Sequence, residues 1–137
     1  MRMHAGRSVQ VEWDAPPDLT FRGERQDLDD MIGNLLDNAC KWAASRVLAE
    51  AAPAGAGRLE VRIDDDGPGM PEDRREDVLG RGVRLDERTP GDGLGLSIVA
   101  DLTRAYGGEI ALEASPLGGL RVRLVLPSAR RRAATQR

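Results

Sequence analysis

Residues 58–69 read Arg-Leu-Glu-Val-Arg-Ile-Asp-Asp-Asp-Gly-Pro-Gly, and the other predicted elements lie on both sides of this stretch. Apolar and polar side chains alternate from Arg58 to Ile63, which is typical of a strand with one buried face. The strand runs directly into Asp64–Gly69, where three carboxylates are followed by two glycines. Because Asp and Gly dominate turns, this segment by itself predicts no more than a turn. A carboxylate at such a bend can also accept from an exocyclic amino group, and the glycines let a ligand approach the backbone.

Two strands and a long helix are predicted before this stretch. Residues 9–14 alternate as one strand, residues 19–22 form a second short strand, and residues 27 to about 50 have a helical period. Apolar side chains of the helix fall on one arc about 120° wide, which indicates a buried face. They are Leu28, Ile32, Leu35, Leu36, Ala39, Ala43 and Val47. Small residues and helix breakers at 51–57 predict a loop.

The second half of the chain alternates helices and strands around a long glycine-rich loop. The predicted elements are a short helix at 71–79, a loop at 80–95, a helix at 94–106 and strands at 109–113 and 120–126. This order favours an α/β fold, a two-layer sandwich of a mixed sheet covered by about three helices. We expect an N-terminal lead-in over 1–8, one domain over 9–127 and a flexible basic tail over 128–137.

The composition excludes several classes of protein. A chain of 137 residues with 40% hydrophobic and 31% charged residues suits one domain, and no apolar run approaches the ~18 residues of a membrane-spanning helix. One cysteine excludes an internal disulfide, and one cysteine with one histidine excludes a zinc cage built of these ligands. His4 lies too near a chain end to be oriented in a serine triad. A net charge of −3 and few aromatic residues disfavour binding of nucleic acid.

The long helix carries polar side chains that suit a ligand. Asn34, Asn38 and Lys41 share one face at spacing i, i+4, i+7, and Trp42 lies at its edge. A solvated polar face is the ordinary explanation of such a pattern. Asparagine is a poor helix former, however, so two in mid-helix cost stability without an evident structural return. Amide oxygen suits Mg²⁺, lysine suits phosphate, and tryptophan offers a flat surface for a ring.

A third motif, Gly91-Asp-Gly93-Leu94-Gly95-Leu96, places glycines at every second position directly before a helix. Backbone N–H groups at a helix N-terminus form an anion site that suits polyphosphate. A flexible linker is the alternative, and it is disfavoured because the glycines abut a helix start with alternating leucines.

In this order, the three motifs resemble the N, G1 and G2 boxes of histidine-kinase ATP-binding domains. These domains belong to the superfamily of gyrase, heat-shock chaperone and mismatch-repair ATPases. The resemblance covers roughly residues 9–127 and implies a Bergerat-type ATP-binding fold. It is strongest to the PhoQ branch of membrane sensor kinases, because Asn38-Ala-Cys-Lys41 is followed by an aromatic residue and Arg81-Gly82 stands in the lid.

The resemblance implies a role for each matched residue. Asn38 would hold Mg²⁺ with support from Asn34, and Lys41 would contact the phosphates. Arg81 would approach the γ-phosphate, which makes Asn34, Lys41 and Arg81 the catalytic candidates. At the adenine end, Trp42 would lie beside the ring, Asp65 would accept from the amino group, and Gly67 and Gly69 would shape the pocket. Backbone amides would be brought to the phosphates by Gly91, Gly93, Leu94 and Gly95. Further lid candidates for a phosphate contact are Arg84 and Arg88.

The resemblance also implies an activity and partners. The chain would bind Mg-ATP and give the γ-phosphoryl group to a histidine on a separate dimerisation domain, upstream of a response regulator. The full-length protein would be a membrane-bound homodimer at the inner membrane, with this portion soluble in the cytoplasm and without a nucleic-acid partner. A free-standing anti-sigma-factor serine kinase of the same superfamily and a nucleotide-binding regulatory module without transfer activity are the alternatives.

Three features depart from the family pattern. The F box has no phenylalanine, since Val78-Leu79-Gly80-Arg81-Gly82 stands in its place, which leaves the ordering of the lid open. Leu120 follows Gly118-Gly119 where many relatives place threonine, so one adenine-side hydrogen bond is missing from the expected set. The phosphoacceptor box is not matched either, because His4 stands in Met3-His4-Ala5-Gly6.

Overall fold

A mixed five-stranded sheet carries the fold in the computed structural model, which describes residues 8–79 and 94–129. The strands lie in the order β1-β2-β3-β5-β4; β1 and β2 are parallel and all other pairs are antiparallel. The elements of the described ranges are β1 (Gln10–Asp14), α1 (Arg25–Trp42), β2 (Arg46–Pro53), β3 (Arg58–Asp65), α2 (Glu72–Val78), α3 (Leu94–Ala105), β4 (Glu109–Ala114) and β5 (Leu120–Pro127). The predicted α/β class and two-layer architecture are confirmed.

The hydrophobic core lies between the helices and one face of the sheet. Strand residues with period 2, such as Val61 and Ile63 of β3 and Leu124 of β5, are buried on this face. Met31 and Leu35 of α1 pack against them in the same cluster. α1 also packs against α3, so the two longer helices lie side by side over the sheet.

The opposite face of the sheet carries charged side chains in pairs. Alternation of side chains along β3 places Glu60, Arg62 and Asp64 on this face. Ion pairs connect neighbouring strands there: Arg46–Glu12, Arg62–Glu50, Arg121–Asp64, Arg123–Glu60 and Arg123–Glu113. A further pair, Arg62–Glu60, lies within β3. Most of these pairs are partly exposed, and each exposed pair contributes little stability. Their main effect is to pair opposite charges along the face that no described helix covers.

The predicted extension of the long helix to about Glu50 is wrong. α1 ends at Trp42, and the chain then forms β2, in which Val47 pairs with both Val11 and Asp65. The predicted loop at 51–57 is correct only for residues 54–57, because β2 continues to Pro53. Alanine has high helix propensity, and Val47 falls on the helical arc, so the alternation of the short strand is obscured. Sheet pairing on both sides overrides this local preference.

The predicted strand at 19–22 is also wrong. Only Phe21 forms an isolated antiparallel bridge, with Ser128. The segment is held instead by Tyr106 at the end of α3, whose ring lies edge-on to Phe21 with the centroids 5.1 Å apart. The Tyr106 hydroxyl donates to Asp27 Oδ2 and accepts from the Glu24 backbone N–H. These contacts fix the chain as it enters α1.

The other predicted helices and strands agree with the structure to within two residues at each end, and most of the predicted loop at 80–95 lies outside the described residues. The domain limits of 9–127 remain a prediction, and residues 1–7 and 130–137 lie outside the described ranges. Within residues 8–79 and 94–129, no helix is both long and apolar enough to cross a membrane.

Truncation of a core side chain should lower the free energy of unfolding more than truncation of an exposed one. Leu126 of β5 is fully buried, so Leu126→Ala should lower the free energy of unfolding by about 2–5 kcal/mol. Ile98 of α3 is 48% exposed, and Ile98→Ala should change it by less than about 1 kcal/mol. Urea unfolding of both variants measures the difference, and equal losses would contradict the assignment of the core.

Candidate functional site

A cavity of about 260 Å³ lies between α1, the ends of β3 and β5, and α2. Its inner walls are apolar and include Leu35, Leu96 and Val122. Polar side chains at its walls are those of Asn38, Asp65 and Arg74, among others. Concave sites with apolar walls and a few polar groups are the usual form of a small-molecule site.

Three consecutive carboxylates at the end of β3 have three different environments. Asp64 lies on the charged face of the sheet and binds the Arg121 guanidinium through both oxygens, at 2.9 and 3.3 Å. Asp65 points to the opposite face and lines the cavity, as strand alternation requires. Asp66 lies beyond the strand and accepts from the backbone that joins α1 to β2. Of the three, only Asp65 lines the cavity.

Asp65 is buried with one oxygen satisfied and the other available. Its Oδ1 accepts the N–H of Gly67 at 2.8 Å and of Leu120 at 3.3 Å. No residue within 8–79 and 94–129 donates to Oδ2. Burial raises the pKa of Asp65, against the opposing effect of the two N–H donors. An acceptor in this position is complementary to a ligand that brings an N–H group.

Two glycines permit this arrangement because no side chain would fit. A Cβ at Gly67 would lie 2.1 Å from the Trp42 backbone oxygen. A Cβ at Gly119 would lie 2.1 Å from Asp65 Oδ1 and 2.6 Å from the Gly67 nitrogen. The predicted shaping role of Gly67 therefore has a steric basis, whereas the role of Gly119 was not predicted. Its sequence signal is the glycine pair directly before β5.

The helix α1 supplies the second polar wall. Asn38 and Trp42 both line the cavity, and Trp42 is 46% exposed. No residue of the described ranges forms a hydrogen bond with the Asn38 side chain, so its amide oxygen is open to a ligand. Asn34 does not line the cavity, and its amide nitrogen donates to the Asp30 backbone oxygen at 2.9 Å. Lys41 does not line it either; its Nζ lies 5.4 Å from the Trp42 ring centroid.

The structure thus brings together part of the predicted set. Asn38, Trp42, Asp65 and Gly69 line one cavity, and Gly67 lies in the turn directly behind it. The predictions for Arg81, Arg84, Arg88, Gly91 and Gly93 lie outside the described residues, as does His4. α3 begins at Leu94 as predicted, although the side chain of Leu94 is not described.

Sequence patterns did not identify Met70 or Arg74 as cavity residues, whereas Leu120 lines the cavity at the position where the resemblance placed an adenine-side residue. Met70 directly follows the G1-like motif, and the Arg75 Nε donates to its backbone oxygen at 3.1 Å. Arg74 belongs to a helix of only seven residues, which is too short for a reliable pattern of faces. Its position at the cavity depends on how α2 packs, which no local signal reports.

The polar groups of the cavity suit a nucleotide, and they suit a divalent cation only in part. Asp65 Oδ2 fits an exocyclic amino group, and the flat Trp42 and apolar walls fit a ring. Within the described residues, no group of three or more His, Cys, Asp or Glu could hold a metal ion. Asn38 fits Mg²⁺ only together with oxygens of the ligand itself, which is how Mg²⁺ is commonly held beside phosphates.

Comparison with known proteins gives consistent matches. The family model described as "Histidine kinase-, DNA gyrase B-, and HSP90-like ATPase" matches residues 23–130. The sensor protein kinase CarS of Pseudomonas aeruginosa is 53% identical over 93% of this chain and 28% of its own length. The sensor protein PhoQ of Escherichia coli O157:H7 is 36% identical over 90% of this chain and 25% of its own length. The chain therefore spans about a quarter of these curated relatives.

A solved structure, the mycobacterial sensor histidine kinase MprB, has the same fold. It superposes with a TM-score of 0.77 and 30% identity, covering 90% of this chain and 84% of that one.

The raised pKa of Asp65 predicts an unusual pH dependence. Burial disfavours the ionised carboxylate in the folded protein relative to the unfolded chain. The free energy of unfolding of the wild-type protein therefore falls as pH rises towards and through the raised pKa of Asp65. Asp65→Asn keeps an acceptor for Gly67 and Leu120 without a charge. Its stability relative to wild type, measured by urea unfolding, should therefore improve from about pH 4 to about pH 7. A constant or falling difference would contradict the raised pKa.

Proposed function

Because the chain belongs to the family of histidine kinase-, DNA gyrase B- and HSP90-like ATPases, we propose that it is the ATP-binding catalytic portion of a sensor histidine kinase. In this proposal the γ-phosphoryl group of bound ATP passes to a histidine on a separate dimerisation domain, and a response regulator receives it next. The observation that supports the site most directly is buried Asp65, whose Oδ2 has no donor among residues 8–79 and 94–129 and which lines a cavity together with Asn38 and Trp42.

The adenine end of the proposed site lies at the end of β3. Asp65 accepts from the adenine amino group through Oδ2, while the Gly67 and Leu120 N–H groups hold Oδ1 in place. Trp42 borders the ring on the α1 side. Gly69 lines the cavity beside Gly119, with a positive φ of 81° that favours glycine. Guanine and hypoxanthine present an oxygen where adenine presents its amino group, and an oxygen there would face the carboxylate.

The phosphate end of the proposed site lies beyond Asn38. Its amide oxygen is the described protein ligand that Mg²⁺ would use, and Mg²⁺ when bound would neutralise charge on the phosphate oxygens. Asn34 is proposed to support Asn38 from the preceding helical turn, and Lys41 to approach the phosphates from beside Trp42. Contacts from Arg81 and from the backbone of Gly91, Gly93, Leu94 and Gly95 complete the proposed set.

The same site favours transfer over hydrolysis. Asn34 stands one helical turn before Asn38, and a neutral amide cannot take a proton from water near pH 7. Among the described residues that line the cavity, the only carboxylate is Asp65, and its role is at the adenine end. Neutral imidazole needs no deprotonation before it attacks, so a histidine suits this site better than water.

The wider setting is part of the same proposal. The relatives are named as sensor proteins and kinases, which favours the sensor-kinase assignment over the anti-sigma-factor and regulatory alternatives. The full-length protein is proposed to be a membrane-bound homodimer with this portion on the cytoplasmic side.

Loss of the carboxylate should weaken binding of ATP. Asp65→Asn places a donor opposite the adenine amino group, and a mismatch of buried hydrogen bonds costs about 1–3 kcal/mol, so affinity should fall about tenfold or more. Titration calorimetry at about pH 7 measures it, with the exposed Asp73→Asn as a matched control that should bind like wild type. Unchanged affinity in Asp65→Asn would remove the adenine assignment.

Phosphoryl transfer should require the separate histidine domain. The chain is incubated with γ-labelled ATP, alone and with the dimerisation-histidine domain of its own kinase. We expect acid-labile label on the added domain and little free phosphate without that domain. Asn38→Ala should abolish the label because the metal ligand is missing. Rapid phosphate release by the chain alone, abolished by Asn38→Ala, would indicate an ATPase instead.

A further inference from the structure

The two polar walls of the cavity belong to elements that are far apart in sequence. Asn38 and Trp42 come from the last turns of α1, whereas Asp65 comes from the end of β3. A ligand that uses both walls at once requires them to keep a fixed separation. The contact that could set this separation lies where the α1–β2 connection meets the turn after β3.

Asp66 occupies that junction and binds the connection with its whole carboxylate. Its Oδ1 accepts the backbone N–H groups of Ala44 at 2.9 Å, Ser45 at 3.0 Å and Arg46 at 3.0 Å. Its Oδ2 accepts the Ser45 hydroxyl at 2.9 Å. The Asp66 N–H in turn donates to the Arg46 backbone oxygen at 3.3 Å. One side chain thereby satisfies the backbone donors of three consecutive residues as the chain leaves the helix.

The next residue keeps the two segments in direct contact. At Gly67 a Cβ would lie 2.1 Å from the Trp42 backbone oxygen, so the turn lies against the last residue of α1. The helix ends there because Ala43 is extended, with φ −64° and ψ 147°, while its N–H still donates to Ala39. The Asp66 bonds begin at the following residue, and they hold the backbone in the direction it takes after Trp42.

We propose that Asp66 is the positioning residue of this cavity, which holds the end of α1 against the end of β3 so that Asn38 and Trp42 face the ligand that Asp65 binds. Asp66 does not itself line the cavity, and it acts through the backbone of 44–46 and through Gly67. The proposal rests on the proposed nucleotide function.

The ionic state of Asp66 is consistent with this role. Burial alone would raise its pKa, but the backbone N–H groups of Ser45, Arg46 and Ala44 and the Ser45 hydroxyl outweigh burial and lower the pKa to about 2. The carboxylate is therefore ionised, and accepts strongly, throughout the neutral range.

Two substitutions at Asp66 separate positioning from charge. Asp66→Ala removes every acceptor, so the connection is released and affinity for Mg-ADP should fall about tenfold or more. Asp66→Asn keeps an oxygen for the three N–H groups and an amide beside the Ser45 hydroxyl, so its affinity should stay within about threefold of wild type. Titration calorimetry at about 25 °C and neutral pH measures both.

Leu126→Ala is the control for general loss of stability. Leu126 is fully buried and lies about 13 Å along β5 from Val122 at the cavity wall, so a folded Leu126→Ala chain should bind Mg-ADP like wild type. In ¹H–¹⁵N spectra, Asp66→Ala should shift the Trp42 indole and Arg46 amide signals, and Leu126→Ala should not. If Asp66→Ala does not fold, Ser45→Ala removes one bond and should weaken binding about twofold to threefold.

The outcomes distinguish failure of the positioning role of Asp66 from failure of the proposed nucleotide function. The positioning role alone would be overturned if the wild-type chain binds Mg-ADP and Asp66→Ala binds it equally well. The same holds for Ser45→Ala where that variant is used. A loss in Asp66→Asn as large as in Asp66→Ala would also overturn it, because retained acceptors should retain the geometry. Failure of the wild-type chain to bind Mg-ADP would overturn the proposed function and this proposal with it.

Discussion

The turn that ends β3 has no space for a side chain at Gly67, and the geometry of the candidate site depends on this contact. A Cβ there would meet the backbone oxygen of Trp42, and a Cβ at Gly119 would meet Asp65. Backbone segments from α1, β3 and the start of β5 therefore meet without side chains between them. Asp65 at this junction and Asn38, one helical turn before Trp42, therefore line one cavity.

Strand alternation gives the neighbouring carboxylates their separate functions. Asp64 forms an ion pair with Arg121 on the charged face, and Asp66 accepts hydrogen bonds from the backbone after α1. Of the three, only Asp65 keeps an oxygen without a donor among the described residues, and its burial raises its pKa. A shift of register by one residue would exchange these environments, so the pairing of β3 with β2 and β5 also determines binding.

Much of the fold could be predicted because β3, α3, β4 and β5 have clear periodicity and glycine boundaries. Strand β2 could not, since alanine weakens its alternation and Val47 also fits a helix. The shared cavity of Asn38, Trp42 and Asp65 could be predicted from residue type and spacing on regular elements, while their roles remain predictions. Asp66 was not identified, because its partners lie 20–22 residues earlier in the chain and meet it only through the tertiary fold. Arg74 was missed because the packing of α2 decides its position.

The affinity of the unmodified chain for Mg-ADP against Mg-IDP tests the central claim most directly, because the two nucleotides differ at the group that Asp65 would contact. IDP presents an oxygen where ADP presents an amino group, so it loses one hydrogen bond and faces the carboxylate with an acceptor. We predict that calorimetry finds ADP bound about tenfold or more tightly. Equal affinities would contradict recognition of adenine by Asp65.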